Sequence, residues 1–311
     1  MTTSDALARA LRAFCDRPVA DALPRHKAVV FHATDLGRAG DPTLAQSAVD
    51  KLQDGEEPTP EELTALDACI RLVRPVLFVQ DRRIVPPAGR ADVPGLSADR
   101  RPAVESCLES VASVGPKNNP TGIGTAFLVG ERVLLTALHV AEDLRFGNPV
   151  AWFAAEYERQ PLPAPVPIRR TVARHPLYDV AVLELAADPP AAARPLPLAR
   201  APVLTAGRAV LTVGHPQKDP HHSVLGGVLF DGVFGYKRAS PGEILGADRC
   251  GLLLHDCTTL RGSSGSPILD PESARVIGVH TFGFFGRRNG GVHAAAIAAD
   301  PAVARFVADW R

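Results

Sequence analysis

Along the first seventy-five residues the apolar positions recur at helical intervals; from about residue 103 they gather into short runs broken by Gly, Pro and Asp. The clearest helical stretch begins at Thr59-Pro60-Glu61-Glu62. A Thr at the cap, a Pro at the first helical position and a Glu three residues after the cap precede Leu63, Leu66 and Ile70 on one face. This pattern predicts a helix over residues 60–73. Further helices are predicted over 4–15 and over about 43–53, the latter entered through Asp41-Pro42. PVLFVQ at 75–80 reads as a short strand, and the Pro-, Gly- and charge-rich stretch 85–102 reads as a linker.

Beyond the linker the apolar runs are GTAFLV, RVLLTAL, VAVLEL, AVLTVG, SVLGGVLF, GLLLHD, SPILD and RVIGVHTFG. Short strands punctuated at intervals of roughly ten residues predict an all-β barrel or sandwich. Asp300-Pro301 then opens a terminal helix with Val303, Phe306, Val307 and Trp310 at i, i+3, i+4 and i+7, a stripe suited to docking on a barrel. The expected organisation is a small helical N-terminal region over 1–75, a strand and linker over 76–102, and a mainly β domain over 103–311.

Composition changes this picture little. The 311 residues are 46% hydrophobic and 22% charged, ordinary globular values. Lys plus Arg equals Asp plus Glu, 34 against 34, so no global field favours nucleic acid or an anionic membrane as partner. No window offers an uncharged apolar run of membrane length, and the polar N-terminus lacks the apolar segment of a secretory signal, which points to a cytoplasmic protein. Cys15, Cys69, Cys107, Cys250 and Cys257 are odd in number and scattered, without a C-x-x-C pair, and read as reduced thiols, although Cys250 and Cys257 could approach across a loop. His215, His221 and His222 in GHPQKDPHH lack regular ligand spacing and carboxylates, so the stretch reads as an exposed loop and no metal or cofactor is expected.

The β region supplies the parts of a nucleophilic hydrolase. A serine hydroxyl is a weak nucleophile and needs a base, a group to orient that base, and donors for an oxyanion. His139 follows an apolar strand in RVLLTALHVAEDL. Asp179 opens a strongly apolar strand in HPLYDVAVLEL, where an unpaired carboxylate would be costly. Ser264 lies in RGSSGSP, where Gly262 and Gly265 permit a tight turn, while Ser263 and Ser266 read as packing or turn residues. Each has a dull reading singly, as structural histidine, strand cap or loop. Together they run in the order His, Asp, Ser, with separations of 40 and 85 residues. That order distinguishes the chymotrypsin arrangement from the subtilisin and α/β-hydrolase orders.

With these motifs in hand, TALHVA, DVAVLEL and GSSGSP resemble the histidine, aspartate and nucleophile motifs of the trypsin-like serine proteases of bacterial type. GTAFLVG and TVGHP resemble their recurring strands. The resemblance spans about 103–311 and implies a chymotrypsin-like double β-barrel with the site in the cleft between the barrels. It implies a serine endopeptidase working through an acyl-enzyme on a protein or peptide substrate, with Ser264 as nucleophile, His139 as base, Asp179 as its orienting partner, and the Gly262 and Ser264 amides as oxyanion hole.

Thr259, five residues before Ser264, and His280 in VIGVHTFG are similar to pocket residues of glutamyl endopeptidases. They imply cleavage after Glu, with Gln as second choice. Two positions depart from animal members of the family. Ser263 stands where zymogens carry the Asp that binds a new amino terminus, which puts that activation switch in doubt. Val140 stands where a disulfide Cys is usual, which suits a reducing compartment. Residues 1–75 carry no motif tied to chemistry and read as a regulatory or adaptor segment with a possible protein partner, in an intracellular regulatory or defence-type setting. The competing class is an inactive or inhibited protease-fold protein serving as a binding scaffold.

Overall fold

The structure is a computed structural model that describes residues 3–15, 17–24, 40–86, 92–119, 121–145, 147–159, 162–219, 223–247, 252–284 and 288–307. The described residues of its N-terminal region form α1 (Thr3–Phe14), the short α2 (Val19–Ala22), α3 (Pro42–Gln53) and α4 (Pro60–Val73). The capping logic read from the sequence holds. Asp41 accepts from the Thr43 amide at the head of α3, and Thr59 and Glu62 form a reciprocal capping box at α4, a feature typically worth about 1 kcal/mol. Glu62 also accepts from Lys51 and Ser47, which ties α3 to α4 and holds its carboxyl down at about 2, the Lys51 bond contributing most.

After α4 the chain forms a hairpin of β1 (Leu77–Gln80) and β2 (Arg83–Val85), then the single-turn α5 (Arg101–Glu105). The first barrel comprises β3 (Val111–Pro116), β4 (Gly124–Gly130), β5 (Val133–Thr136), β6 (Pro149–Trp152), β7 (Val166–Arg174) and β8 (Ala181–Leu185). It closes in the order β3-β4-β5-β8-β7-β6, with α6 (Leu138–Asp143) leaving the end of β5. The second barrel comprises β9 (Ala209–Gly214), β10 (Arg238–Ala247), β11 (Leu252–His255), β12 (Pro267–Asp270), β13 (Arg275–Phe284) and β14 (Arg288–His293). It runs β11-β14-β13-β12-β9-β10 and closes through pairing of β10 with β11. The β1–β2 hairpin extends this second sheet by pairing Leu77 with Ala239 of β10. Two closed six-stranded barrels define the chymotrypsin-like fold.

SVLGGVLF, expected as a strand, is a helix, α7 (Ser223–Leu229). An eight-residue apolar run has no periodicity that separates strand from helix. Here Leu229 and Phe230 pack into the core of the N-terminal helices, among Phe14, Leu52, Leu66 and Ile70, together with Leu260 from the second barrel. The described part of the terminal segment forms two short helices, α8 (Ala294–Ala299) and α9 (Pro301–Ala304), the second capped by Asp300. Val303 and Val307 are fully buried at the barrels, as the stripe requires, while Trp310 lies outside the described residues.

Side chains from both barrels share a central core that includes Phe127, Leu135, Val182, Val213, Leu269 and Val279. Burying each such residue contributes about 1.5–3 kcal/mol. Lys237, wholly buried just before β10, donates to the carbonyls of Leu108 and Phe153 and so ties the second barrel to the first. Burial lowers its ammonium to about 8. Among the described residues no helix is long and apolar enough to cross a membrane.

Candidate active site

Strand register brings His139 and Asp179 together. Thr136, the last residue of β5, pairs with Ala181, the first of β8, so the chain leaving one strand and the chain entering the other meet at the same barrel edge. His139 lies three residues beyond the first of these positions and Asp179 two before the second. The carboxylate accepts from the His139 backbone amide at 2.9 Å through one oxygen and lies 2.7 Å from the ring Nδ1 through the other. This double contact fixes both ring position and tautomer, with the Nδ1 proton facing Asp179 and Nε2 left to act as a base. The bond to Asp179 raises the His139 pKa above its ordinary value. Burial works to raise the Asp179 pKa, but the bonds from His139 outweigh it and hold the carboxyl below the usual range.

Ser264 lies on the second barrel, in the turn before β12, where a Cβ at the adjoining Gly265 would fall 3.1 Å from the backbone nitrogen of Ala137, two residues before His139. First-barrel residue Thr125 clamps that turn. Its amide donates to the Ser264 carbonyl at 2.9 Å and its hydroxyl donates to the Gly262 carbonyl at 2.9 Å. The same hydroxyl accepts from the His215 amide at 3.0 Å. On the other side the Gly265 amide donates to the His280 carbonyl, and the His280 amide donates to the Ser266 carbonyl. Gly262 and Gly265 have φ of +86° and +87°, in the left-handed region that favours glycine. The Arg261 carbonyl is taken by the Gln217 amide at 2.6 Å, and among the described residues neither the Gly262 nor the Ser264 N–H meets an acceptor. Two free amides beside a serine hydroxyl are what a developing oxyanion requires. Among the described residues the Ser264 hydroxyl has no hydrogen-bond partner, His139 included. Bonds of this kind commonly tighten only when substrate is bound.

The glycine at 265 provides a direct test of this loop. A Cβ there would sit inside the van der Waals shells of Thr125 O and Thr136 Oγ1, on a backbone that disfavours any side chain. Gly265→Ala is expected to displace the loop and reduce peptide turnover by about 100-fold or more, the typical cost of a 1 Å misplacement. Steady-state kinetics on a cleaved peptide, alongside a melting curve to confirm folding, check this.

Ser264 borders a cavity of about 250 Å³ that is also lined by Asp219, Thr259, Leu260, Arg261, His280, Gly283 and Asn289. Thr259 and His280 thus border the same cavity as the serine. The His280 ring is buried, with Nδ1 3.1 Å from Nε2 of the equally buried His255. Burial, then the neighbouring His255, pushes the His280 pKa well below its ordinary value, so the imidazole is neutral at neutral pH. Burial likewise lowers His255 to about 4. The Arg261 side chain is exposed beside the opening.

The expectation of an exposed loop around His215 is corrected. This residue is fully buried, with Nδ1 3.4 Å from the Thr125 hydroxyl, because its segment backs the Ser264 turn; His221 and His222 lie outside the described residues. Ser263 and Ser266 are buried as packing residues. Sequence reasoning missed the structural parts played by Thr125, His255 and Asn289. Thr125 stood in the quoted GTAFLVG, but nothing local marked its hydroxyl as a tie to a loop 137 residues away. Cys15, Cys69, Cys107 and Cys257 are free thiols, and Cys250 lies outside the described residues.

The barrels, their closure and the cleft define a protein of the chymotrypsin-like class. The chain belongs to the trypsin-like peptidase domain family, which it matches over residues 124–279. Its fold is similar to solved structures of the Rv3671c protease of Mycobacterium tuberculosis. An inactive form carrying a serine-to-alanine substitution is 21% identical, with a TM-score of 0.49, covering 71% of this chain and 97% of that one. The active form is 20% identical, with a TM-score of 0.48, covering 72% and 94%. A serine endoprotease from Yersinia pestis is 18% identical, with a TM-score of 0.49, covering 71% of this chain and 70% of that chain. No curated protein matches the chain.

Proposed function

We propose that this protein is a serine endopeptidase in which Ser264, His139 and Asp179 form the catalytic triad. The observation that carries this reading is the His139–Asp179 pair at the end of β5 together with the serine turn that Thr125 and Thr136 of the same barrel hold close by, a turn whose Gly262 and Ser264 amides meet no acceptor among the described residues. Ser264 Oγ attacks the scissile carbonyl while His139 Nε2 takes its proton. The amides of Gly262 and Ser264 receive the oxyanion. The leaving amine takes the proton from His139, and water then hydrolyses the acyl-enzyme by the same route. Asp179 keeps the imidazole in the required tautomer throughout. No step calls for a cofactor.

In this reading the cavity accepts the side chain preceding the scissile bond. A neutral imidazole, the Thr259 hydroxyl and the exposed guanidinium of Arg261 supply donors for a Glu carboxylate, and the same donors suit a Gln carboxamide less strongly. Buried free thiols at Cys69, Cys107 and Cys257 favour work in a reducing, intracellular setting. There the N-terminal region, residues 1–75, serves regulation or partner recruitment beside the protease domain of 103–311.

The test is digestion of a diverse peptide library, scored by mass spectrometry, with wild-type protein, Thr259→Val and His280→Phe. Wild-type cuts are expected to be enriched after Glu. Loss of a hydrogen bond to a charged group should reduce that enrichment by about 10- to 100-fold in either variant. Cuts with no preference at this position would overturn the pocket assignment. Silence of the wild-type protein toward the whole library would favour the binding-scaffold alternative.

A further inference from the structure

The segment that forms the cavity wall is held from behind by the N-terminal helices. Asp256 follows β11 directly and stands three residues before Thr259. Its carboxylate is fully buried and accepts from Arg9 Nε of α1 at 2.6 Å and from Arg74 Nη1, at the end of α4, at 2.8 Å. Through its other oxygen it accepts from the Glu243 amide at 2.6 Å. Arg71 of α4 donates to the backbone carbonyls of Asp256 and Cys257 at 3.3 and 3.4 Å. The Cys257 carbonyl also accepts from Asn289, which lines the cavity.

The cations are themselves held in place. Asp67 bridges Arg9 and Arg71 at 2.6 and 2.7 Å, while Glu243 takes Arg74 and Arg12 at 2.7 Å each. Burial opposes ionisation of Asp256, yet Arg9 and Arg74 hold its carboxyl far below the usual range. Leu260 completes the contact. It belongs to the apolar core of the N-terminal helices and also lines the cavity, two residues before Gly262.

We propose that α1 and α4 act as an intramolecular clamp on the substrate pocket, with Asp256 as a positioning residue through which Arg9, Arg71 and Arg74 set the pocket wall at Thr259 and Leu260. This deepens the endopeptidase reading and rests on it. The N-terminal region is then part of what shapes the pocket. It supplies from within the chain an ionic brace behind the serine turn, in a protein whose residue before the nucleophile is the uncharged Ser263. Arg9 reaches Asp256 through Nε and Asp67 through Nη2, and Arg9→Lys keeps the charge while exchanging this planar fork for a single ammonium.

The experiment uses the full chain as wild type, Asp256→Asn and Arg9→Lys, with Ser264→Ala as control. Two peptides are compared: the one most efficiently cut from the library, and the same peptide with Ala before the scissile bond. The ratio of their kcat/KM values does not depend on the fraction of folded enzyme, so it separates pocket shape from stability. Labelling by diisopropyl fluorophosphate, which consumes the serine hydroxyl without filling the pocket, reports the catalytic centre separately. The clamp predicts that the ratio falls by about 10- to 100-fold in Asp256→Asn, and less in Arg9→Lys, with the labelling rate within about threefold of wild type. A ratio within twofold of wild type in Arg9→Lys and in any folded Asp256→Asn overturns the clamp, whatever the labelling rate. If Asp256→Asn does not fold, Arg9→Lys decides. Cleavage that survives in Ser264→Ala would instead overturn the endopeptidase reading itself, an outcome distinct from an unchanged ratio.

Discussion

Replacing Ser264 with Ala is expected to abolish peptide cleavage, with a fall in kcat of about a millionfold, on the scale measured for other triad serines. The size of the effect follows from the chemistry. Removing the hydroxyl removes the bond-forming atom, and the His139 base has no other positioned proton to take. Folding should be untouched. The Ser264 hydroxyl has no hydrogen-bond partner among the described residues, and the turn is held by its backbone through Thr125, Gly265 and His280. Equal melting temperatures combined with loss of turnover would therefore assign Ser264 as nucleophile. Turnover within tenfold of wild type would remove it from that role.

The second large effect is expected at Asp179. Asp179→Asn keeps the shape of the side chain but can present an amide N–H to the His139 ring. The imidazole then turns its proton toward Nε2 and loses the lone pair that takes the serine proton. A fall in kcat of about 10,000-fold is expected. The pH profile adds a second signature. Catalysis needs neutral His139, so wild-type kcat/KM should rise with pH through the His139 pKa, which Asp179 raises above its ordinary value of 6.5. Removing the carboxylate removes the chief cause of that elevation, and the acid limb should shift to lower pH in the residual activity of the variant. His280 and His255 are neutral at neutral pH through burial, so they should not shape this limb. An acid limb at the same pH in both proteins would mean that the titrating group is not His139.

Part of the architecture was legible because its causes are local. The capping box at α4, the Asp-Pro entry to α3 and the apolar run in VAVLEL each lie within a few residues of the structure they specify. The His-Asp-Ser order also pointed to barrels, since chain order distinguishes the folds that carry such residues. Other elements depended on distant partners. β10 carries Pro241 and Gly242 in mid-strand, residues that argue against a strand when read alone, yet Pro241 pairs with Leu211 of β9 at the heart of the second sheet. SVLGGVLF became a helix because a helical core lies beside it, a fact absent from those eight residues.

The amino-acid sequence by itself determined the helical-then-β organisation, the balance of charge, and the residue types that the proposed chemistry draws on: His139, Asp179, Ser264, Thr259 and His280. Only the tertiary structure decided how they are supported: Thr125 against the serine turn, His255 against His280, and Arg9 against Asp256 across 247 residues of chain. Local motifs arise from backbone geometry repeating over a few residues, so they leave a pattern in sequence. A buried ion pair or hydrogen bond between distant segments leaves none, because its two halves meet only after both barrels and the helices have packed.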